Sequence, residues 1–428
     1  MGLRLLSRRY TCLLTAAFLL SPGAARANAV DYWSDVATQV AVAAPQSRGG
    51  LTGIDLAYVY IAIYDAVNAI DGGRYSVFAV RPATNPQGAS MDAATAAAAY
   101  TMLKWLYPSP SASAFLDGAY PNFLLAIPNG TSKTNGVAVG TEVANAFIAL
   151  RTGDGRNAAV PYVFGAALPG VYQQTPGGPA IPIGAWVSPL KTFAIESATQ
   201  FRADGPPDLT SATWADDFNE TKNYGALNNS RRTPLQTRIG QFFAENPGTQ
   251  INRNVRNVAT ACGLSVADSA RFFAQLYVTM ADAQITTWNS KYHFNFWRPV
   301  TAIRYPEDGN PATESDPLWL PLVTTPGHPE YPAAHPTVTG AFAFALAEFF
   351  DTKKVNIAFT STSVPNTGGL LAFEITNTDD IVKLAIDGRI YGGMHYRTSG
   401  VHGAVIARKV AHYVAKHYFQ PTEERGRP

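Results

Sequence analysis

Seven histidines occur in this 428-residue sequence, and all of them fall between residues 293 and 417. Three of them, His328, His335 and His395, stand among glycines, prolines and arginines, the composition of loops that meet helix ends. His412 and His417 fall on the last helical stretch and read as solvated side chains. His402 reads similarly, with a lesser chance of supporting a site, and His293 carries less signal than its neighbours. Around the three histidines are cations with few acids. In Lys291-Tyr-His-Phe-Asn-Phe-Trp-Arg298-Pro299, seven positions separate two cations with no acid between them. If helical, two turns bring both to one face. Two fixed cations beside four aromatics suggest a partly dry anion site rather than a solvated cationic face.

The second segment is His328-Pro-Glu-Tyr-Pro332-Ala333-Ala334-His335-Pro336, leading into an apolar run. Pro336 suits the first turn of a helix. His335 would then stand near the N-cap, where unpaired backbone N–H groups and the positive helix end favour an oxyanion. The third is Arg389-Ile-Tyr-Gly-Gly-Met-His395. Six positions do not share a helix face. Gly392-Gly393 should end the helix, so Arg389 and His395 approach one another from different backbone geometries. Each segment also has a plain reading, as a loop-to-helix junction or a helix C-terminus.

The elements that must position these segments are helical almost throughout. Apolar periodicity predicts helices over 53–70, 90–105, 131–150, 266–290, 337–350, 378–391 and 400–418. Alternating β patterns are scarce. Residues 153–190 are rich in Gly and Pro and read as a long loop between an N-terminal helical region, 28–152, and a C-terminal one, 191–428, that holds the site. Two further irregular stretches are 305–336 and 361–371. The fold class is all-α, a helical-bundle protein with functional loops.

Taken in order, K-x6-R-P, then Pro332-Ala333-Ala334-His335, then R-x5-H resemble the signature of the vanadium-dependent haloperoxidases. The secreted acid phosphatases of the type-2 phosphatidic-acid phosphatase superfamily carry the same three motifs. The motifs cover about residues 280–415, and the all-helical layout is similar too. The resemblance implies vanadate as cofactor, held by Lys291, Arg298, Ala334 and Arg389, with His395 as the axial ligand to the metal. His335 would be the acid–base residue. Arg suits such an anion because its planar fork donates two hydrogen bonds to adjacent oxygens. The implied activity is oxidation of halide by hydrogen peroxide, with a small organic acceptor and bromide favoured over chloride. His328 lies seven residues before His335, as in bromoperoxidases of the family, and Trp288 lies three before Lys291, where the family often has a tryptophan by the halide pocket.

Two rivals stand beside that reading. One is a soluble acid phosphatase with His395 as nucleophile, and the other an oxyanion-binding protein with impaired catalysis. Against the phosphatase, its motif ends in Asp four residues after the nucleophilic histidine, where this chain has Ser399. Ala333-Ala334 replaces the family's Ser-Gly, which removes a hydroxyl and adds a methyl. An upstream carboxylate is expected to orient Arg389 or His335; Asp217 and Glu220 are candidates, although a solvated helix face is the plainer role for both.

Composition and the N-terminus set the context. Apolar residues are 46% and charged residues 15%, which excludes a disordered chain. Residues 1–27 read as a secretory leader: Arg4, Arg8 and Arg9 precede a short apolar stretch, and Ala25-Arg26-Ala27 is a cleavage site. The expected product is secreted or periplasmic. Without the leader's four arginines the net charge of +2 falls to about −2, so no basic field argues for nucleic acid. No later run reaches ~18 apolar residues, so no membrane anchor is expected. A homo-oligomer is compatible with the sequence. Cys262 alone would remain after cleavage, which excludes an intrachain disulfide; it reads as a buried, inert thiol in a helix.

Overall fold

The computed structural model describes residues 28–43, 51–364 and 370–422. The leader, 1–27, lies outside the described residues. The chain forms helices α1 (Ala29–Ala43), α2 (Thr52–Ile70), α3 (Met91–Leu106), α4 (Pro110–Leu125) and α5 (Thr131–Arg151). After a long irregular stretch come α6 (Ala212–Gly225), α7 (Pro234–Phe242), α8 (Pro247–Ala261), α9 (Val266–Phe294) and the short α10 (Pro299–Arg304). Helix α11 (Ala334–Phe350), a two-stranded antiparallel hairpin of β1 (Lys354–Ser361) and β2 (Leu371–Asn377), α12 (Thr378–Tyr391) and α13 (Arg397–His417) complete it. The fold is all-α apart from that hairpin, in which Phe359 pairs with Phe373 and Ile357 with Ile375.

Local sequence explains many helix starts. Ser90, Ser109, Ser211 and Ser265 each accept a hydrogen bond from a backbone N–H three residues on. Thr233 and Gln236 cap one another reciprocally ahead of Pro234 at the first turn of α7. Helices α1, α4, α6, α7, α8 and α10 lie outside the predicted spans, although α8 carries a continuous stripe of Ile251, Val255, Val258 and Ala259. Cys262 is not inside a helix as expected: it is the half-buried C-cap of α8.

Helix α9 is the axis of the molecule. It packs against α2, α11 and α13, and its residues from Phe272 to Trp288 are buried without a break. Helix α2 is apolar on nearly every face, long and apolar enough by composition to cross a membrane, yet packed inside the protein. One hydrophobic core runs from α1 and α2 through α9 to α11 and α13, across the 153–190 segment. Helices α3 and α5 meet through small residues: a Cβ at Gly140 would lie 2.3 Å from the Ala94 carbonyl oxygen, so only glycine allows this approach.

The irregular stretch after α5 is tied to α9 by one carboxylate. Asp282, fully buried, accepts the backbone N–H groups of Phe193, Ala194 and Ile195 at 2.7, 2.7 and 2.9 Å. Replacing Asp282 by Ala leaves three donors without an acceptor, each costing about 1–3 kcal/mol. Urea unfolding of Asp282→Ala should show a loss of at least about 3 kcal/mol; a loss below about 1 kcal/mol would remove Asp282 from this role.

Candidate active site

Lys291 lies in the last turn of α9. The helix is capped four residues later at Asn295, which takes the left-handed conformation with φ 50°. Arg298 therefore does not continue the α9 face, as the seven-position spacing suggested. It is the N-cap of α10, ahead of Pro299, and the reversal between the two helices turns it inward. Arg389 lies in the last turn of α12, which ends at Gly392. Gly393 follows with φ 76°, and a Cβ there would lie 2.5 Å from the Gly225 carbonyl oxygen. This turn delivers Met394 and His395 just ahead of α13. His335 is the second residue of α11, whose N-cap is Ala333.

These segments meet in one hydrogen-bonded cluster. The Lys291 ammonium donates to the carbonyls of Pro329 and Glu330 at 3.0 and 2.8 Å. Arg298 donates to the carbonyls of His328 and Met394, each at 2.9 Å. Its Nη1 lies 2.9 Å from His395 Nε2, and its Nη2 3.0 Å from His328 Nδ1. Arg389 donates to the Phe243 carbonyl at 2.7 Å and to Met394 Sδ at 3.0 Å. Met394 thus joins the two arginines. His335 hydrogen-bonds the Glu245 backbone carbonyl. The Glu245 side chain is held in turn by Arg253, at 2.7 and 2.8 Å.

The site is dry and positively charged. Lys291, Arg298, Arg389 and His395 are all at most 2% exposed. Burial, reinforced by the neighbouring arginines, pushes the Lys291 ammonium well below its usual range. Burial likewise lowers Arg298 to about 10 and Arg389 to about 9; Arg298 also bears on Arg389. His328, His335 and His395 are driven well below the ordinary imidazole value, by burial first and then by the cations, and are neutral at pH 7. Glu330 is the carboxylate inside this cluster. Burial raises it to about 7 against the pull of Lys291 and Arg298.

Beside the cluster is a cavity of about 750 Å³, walled by His335, His328, Ala334 and Trp288 together with Leu51, Ile183, Trp186 and Val338. The rings of Trp288 and His328 stand 5.3 Å apart. Ala333 is fully buried. His402 pairs with the Tyr331 hydroxyl, and His412 with Glu348 at the surface.

Asp217 and Glu220 touch neither Arg389 nor His335. Asp217, buried rather than solvated, accepts the Thr398 N–H at 3.1 Å. Glu220 grips Arg397 at 2.7 and 2.8 Å. Both hold the first turn of α13 instead. The carboxylate that reaches the cluster is Glu330, whose Oε1 lies 2.7 Å from His395 Nδ1. Its signal was present in the sequence: it is the acid between two prolines, five residues before His335.

A buried trio of cations beside neutral histidines offers the charge and the hydrogen-bond donors that an oxyanion needs. Arg389 Nε and His335 Nε2 are buried without a protein partner, so the site has polar atoms to spare for such a group. Residues 271–424 match the family model for the second helical-bundle domain of VCPO. A vanadium chloroperoxidase from Curvularia inaequalis is 28% identical over 76% of this chain, and the chain spans 66% of that protein's length. The solved structure of a bacterial vanadium-dependent iodoperoxidase superposes with a TM-score of 0.76 at 22% identity, covering 92% of this chain and 98% of that one. The holo form of a bacterial vanadium-dependent chloroperoxidase gives 0.66 at 17% identity, over 92% and 93% of the two chains. The chain thus has the fold of the vanadium haloperoxidase structures, and its residues 271–424 match that group's second helical-bundle domain.

Bidentate donation distinguishes arginine from lysine at such a site. Arg389→Lys keeps the charge and loses the fork. One charge-assisted hydrogen bond contributes about 1.5–3 kcal/mol, so vanadate or phosphate binding by calorimetry should weaken about 10- to 100-fold. Unchanged affinity would place the anion away from Arg389.

Proposed function

We propose that this protein is a vanadate-dependent haloperoxidase that oxidises halide with hydrogen peroxide. The observation that carries the proposal is the convergence of Lys291, Arg298, Arg389 and His395 beside a cavity that His335 enters. Lys291, Arg298 and Arg389 would hold the vanadate oxygens, with the Ala334 backbone N–H at the start of α11, and His395 Nε2 would ligate the metal. Bound vanadate supplies a Lewis acid that activates hydrogen peroxide for attack by halide.

The protein's own residues do the rest. With its ring bound to the Glu245 carbonyl, His335 carries its proton on Nδ1 and keeps a lone pair on Nε2. Nε2 takes a proton from peroxide and returns it later. Trp288 and His328 would form the halide pocket. Bromide is favoured over chloride there because the larger, less hydrated ion loses less on entering a dry cavity. The product would be hypohalous acid or a halogenated organic acceptor held in the cavity. The leader reading adds export as part of the proposal.

A second reading has a specific observation behind it. The carboxylate that Ser399 cannot supply to His395 arrives from Glu330, so a phosphatase with His395 as nucleophile keeps a carboxylate–histidine pair. Bromide oxidation after vanadate reconstitution, with metal analysis, tests the first reading. Turnover of para-nitrophenyl phosphate without vanadate would favour the second. Binding of either anion without turnover would favour an oxyanion-binding protein.

The two histidines should separate. His395→Ala should abolish vanadate binding, whereas His335→Ala should keep binding and lose bromide oxidation. Equal loss of binding in both variants would contradict the division of roles.

Ala333 gives another test. As N-cap of α11 it offers no side-chain acceptor, and the third helical position is Pro336, which has no N–H to cap. A serine hydroxyl there is therefore free of the usual N3 bond. A hydroxyl donating to an anionic oxygen contributes about 1.5–3 kcal/mol. Ala333→Ser should tighten vanadate about 10- to 100-fold, or do so only with Ala334→Gly if the Ala334 methyl holds the anion away. No change in either variant would mean that the anion already has that bond or does not bind here.

A further inference from the structure

The tautomer of His395 can be read from its neighbours. Arg298 Nη1 lies 2.9 Å from His395 Nε2. A guanidinium has donors only, so Nε2 must be the accepting, unprotonated nitrogen. The ring proton is therefore on Nδ1, and it is donated to Glu330 Oε1 at 2.7 Å. Both side chains are at most 1% exposed, so water does not compete for that proton.

Glu330 is itself pinned at several points. Its Oε1 also accepts the Tyr396 N–H at 3.2 Å, its carbonyl accepts the Lys291 ammonium at 2.8 Å, and its N–H donates to the Phe296 carbonyl at 2.8 Å. The residue fixes a cation through its main chain and the histidine through its side chain. A change of tautomer at His395 would turn an N–H toward Arg298, itself a donor, and a ring flip would put carbon at both positions; either leaves Oε1 without its 2.7 Å bond. Ligating histidines generally depend on such a partner at the other ring nitrogen.

We propose that Glu330 is a positioning residue that holds His395 in the Nδ1–H tautomer and so presents the Nε2 lone pair to the anion cluster. For vanadate, this rests on the function proposed above. The tautomer does not.

The test uses the full chain labelled with ¹⁵N-histidine, with His395 assigned by comparison with His395→Ala. Wild type should show a protonated Nδ1 and an unprotonated Nε2. Glu330→Met, confirmed as folded by circular dichroism, should show a mixed or reversed tautomer, and calorimetry should give vanadate binding about 10- to 100-fold weaker. Glu330→Gln retains an acceptor oxygen and should lose less. A purely structural role would lower the melting temperature and leave the tautomer alone. The proposal is overturned if wild-type His395 carries its proton on Nε2, or if folded Glu330→Met keeps both tautomer and affinity. Should Glu330→Met fail to fold, the wild-type tautomer and Glu330→Gln decide: an Nε2 proton in wild type, or a vanadate affinity equal to wild type in a Glu330→Gln whose His395 proton has moved to Nε2, overturns it. If wild type binds no vanadate, the functional reading fails by itself, and the histidine spectrum still decides the positioning role.

Discussion

Three cations held out of water within one hydrogen-bonded cluster are the constraint on which this molecule is built. Each resists its neighbours, and burial costs every one of them its hydration. Lys291, Arg298 and Arg389 remain in place because backbone carbonyls take up their donors: Pro329 and Glu330 for lysine, His328 and Met394 for one arginine, Phe243 for the other. Carbonyls offer lone pairs without neutralising the charge. The cluster therefore keeps its positive field for an incoming anion, which a set of carboxylate partners would have cancelled. The Glu330 carboxylate is in the cluster too, but its Oε1 faces His395 rather than a cation's donors.

Carbonyls that point inward must come from chain that is not using them in helices. This is why the site lies where helices end. Lys291 closes α9, Arg298 opens α10, Arg389 closes α12, and His335 stands in the first turn of α11. The loop of residues 326–333 supplies most of the remaining acceptors. Such loops need a rigid support, and an aromatic cluster provides it. Trp214 stacks on Trp297 with centroids 5.9 Å apart, and Phe296, Tyr331 and Tyr396 pack with them. Asp217 and Glu220 reach from α6 to the first turn of α13, so the segment that carries His395 is fixed from both sides.

The helices with continuous apolar stripes, such as α2, α9 and α12, were legible in the sequence, and so were the three cation–histidine segments. Spacing failed where it was read as helix geometry. Lys291 and Arg298 meet through a left-handed Asn295 and a reversal, which no periodicity contains. Asp217 and Glu220 were sought as partners of the cluster because acids near a cationic site attract notice, but contact at this distance in sequence is decided by tertiary packing. Glu330 lies inside the His328–Pro336 motif, but its contact with His395 is made by the turn after α12, which local sequence does not place. The hairpin was missed because its outward residues leave a weak alternation, and only Phe359 and Ile375 among its apolar pairs are deeply buried.

The two histidines show how one residue type acquires different chemical character from its surroundings. His395 is buried and His335 half-buried, and both are neutral and protonated on Nδ1, so their chemistry at Nε2 begins alike. The difference lies in what Nδ1 touches and where Nε2 points. His335 gives its proton to a carbonyl, a neutral acceptor that fixes the ring but adds little negative charge. His335 lines the cavity, and its Nε2 has no protein partner, which suits it in the proposed function to move protons to and from a small oxygen species. His395 gives its proton to a carboxylate, which increases the electron density at the opposite nitrogen, and that nitrogen sits against Arg298. A more basic lone pair beside a fixed cation is poorly suited to accept a proton, because the product would be one more positive charge in a crowded field. It is well suited to bond an electrophilic centre whose oxygens bring compensating negative charge. In the proposed function, the roles of ligand and proton carrier would follow from two acceptors, a carbonyl and a carboxylate, rather than from any difference between the imidazoles.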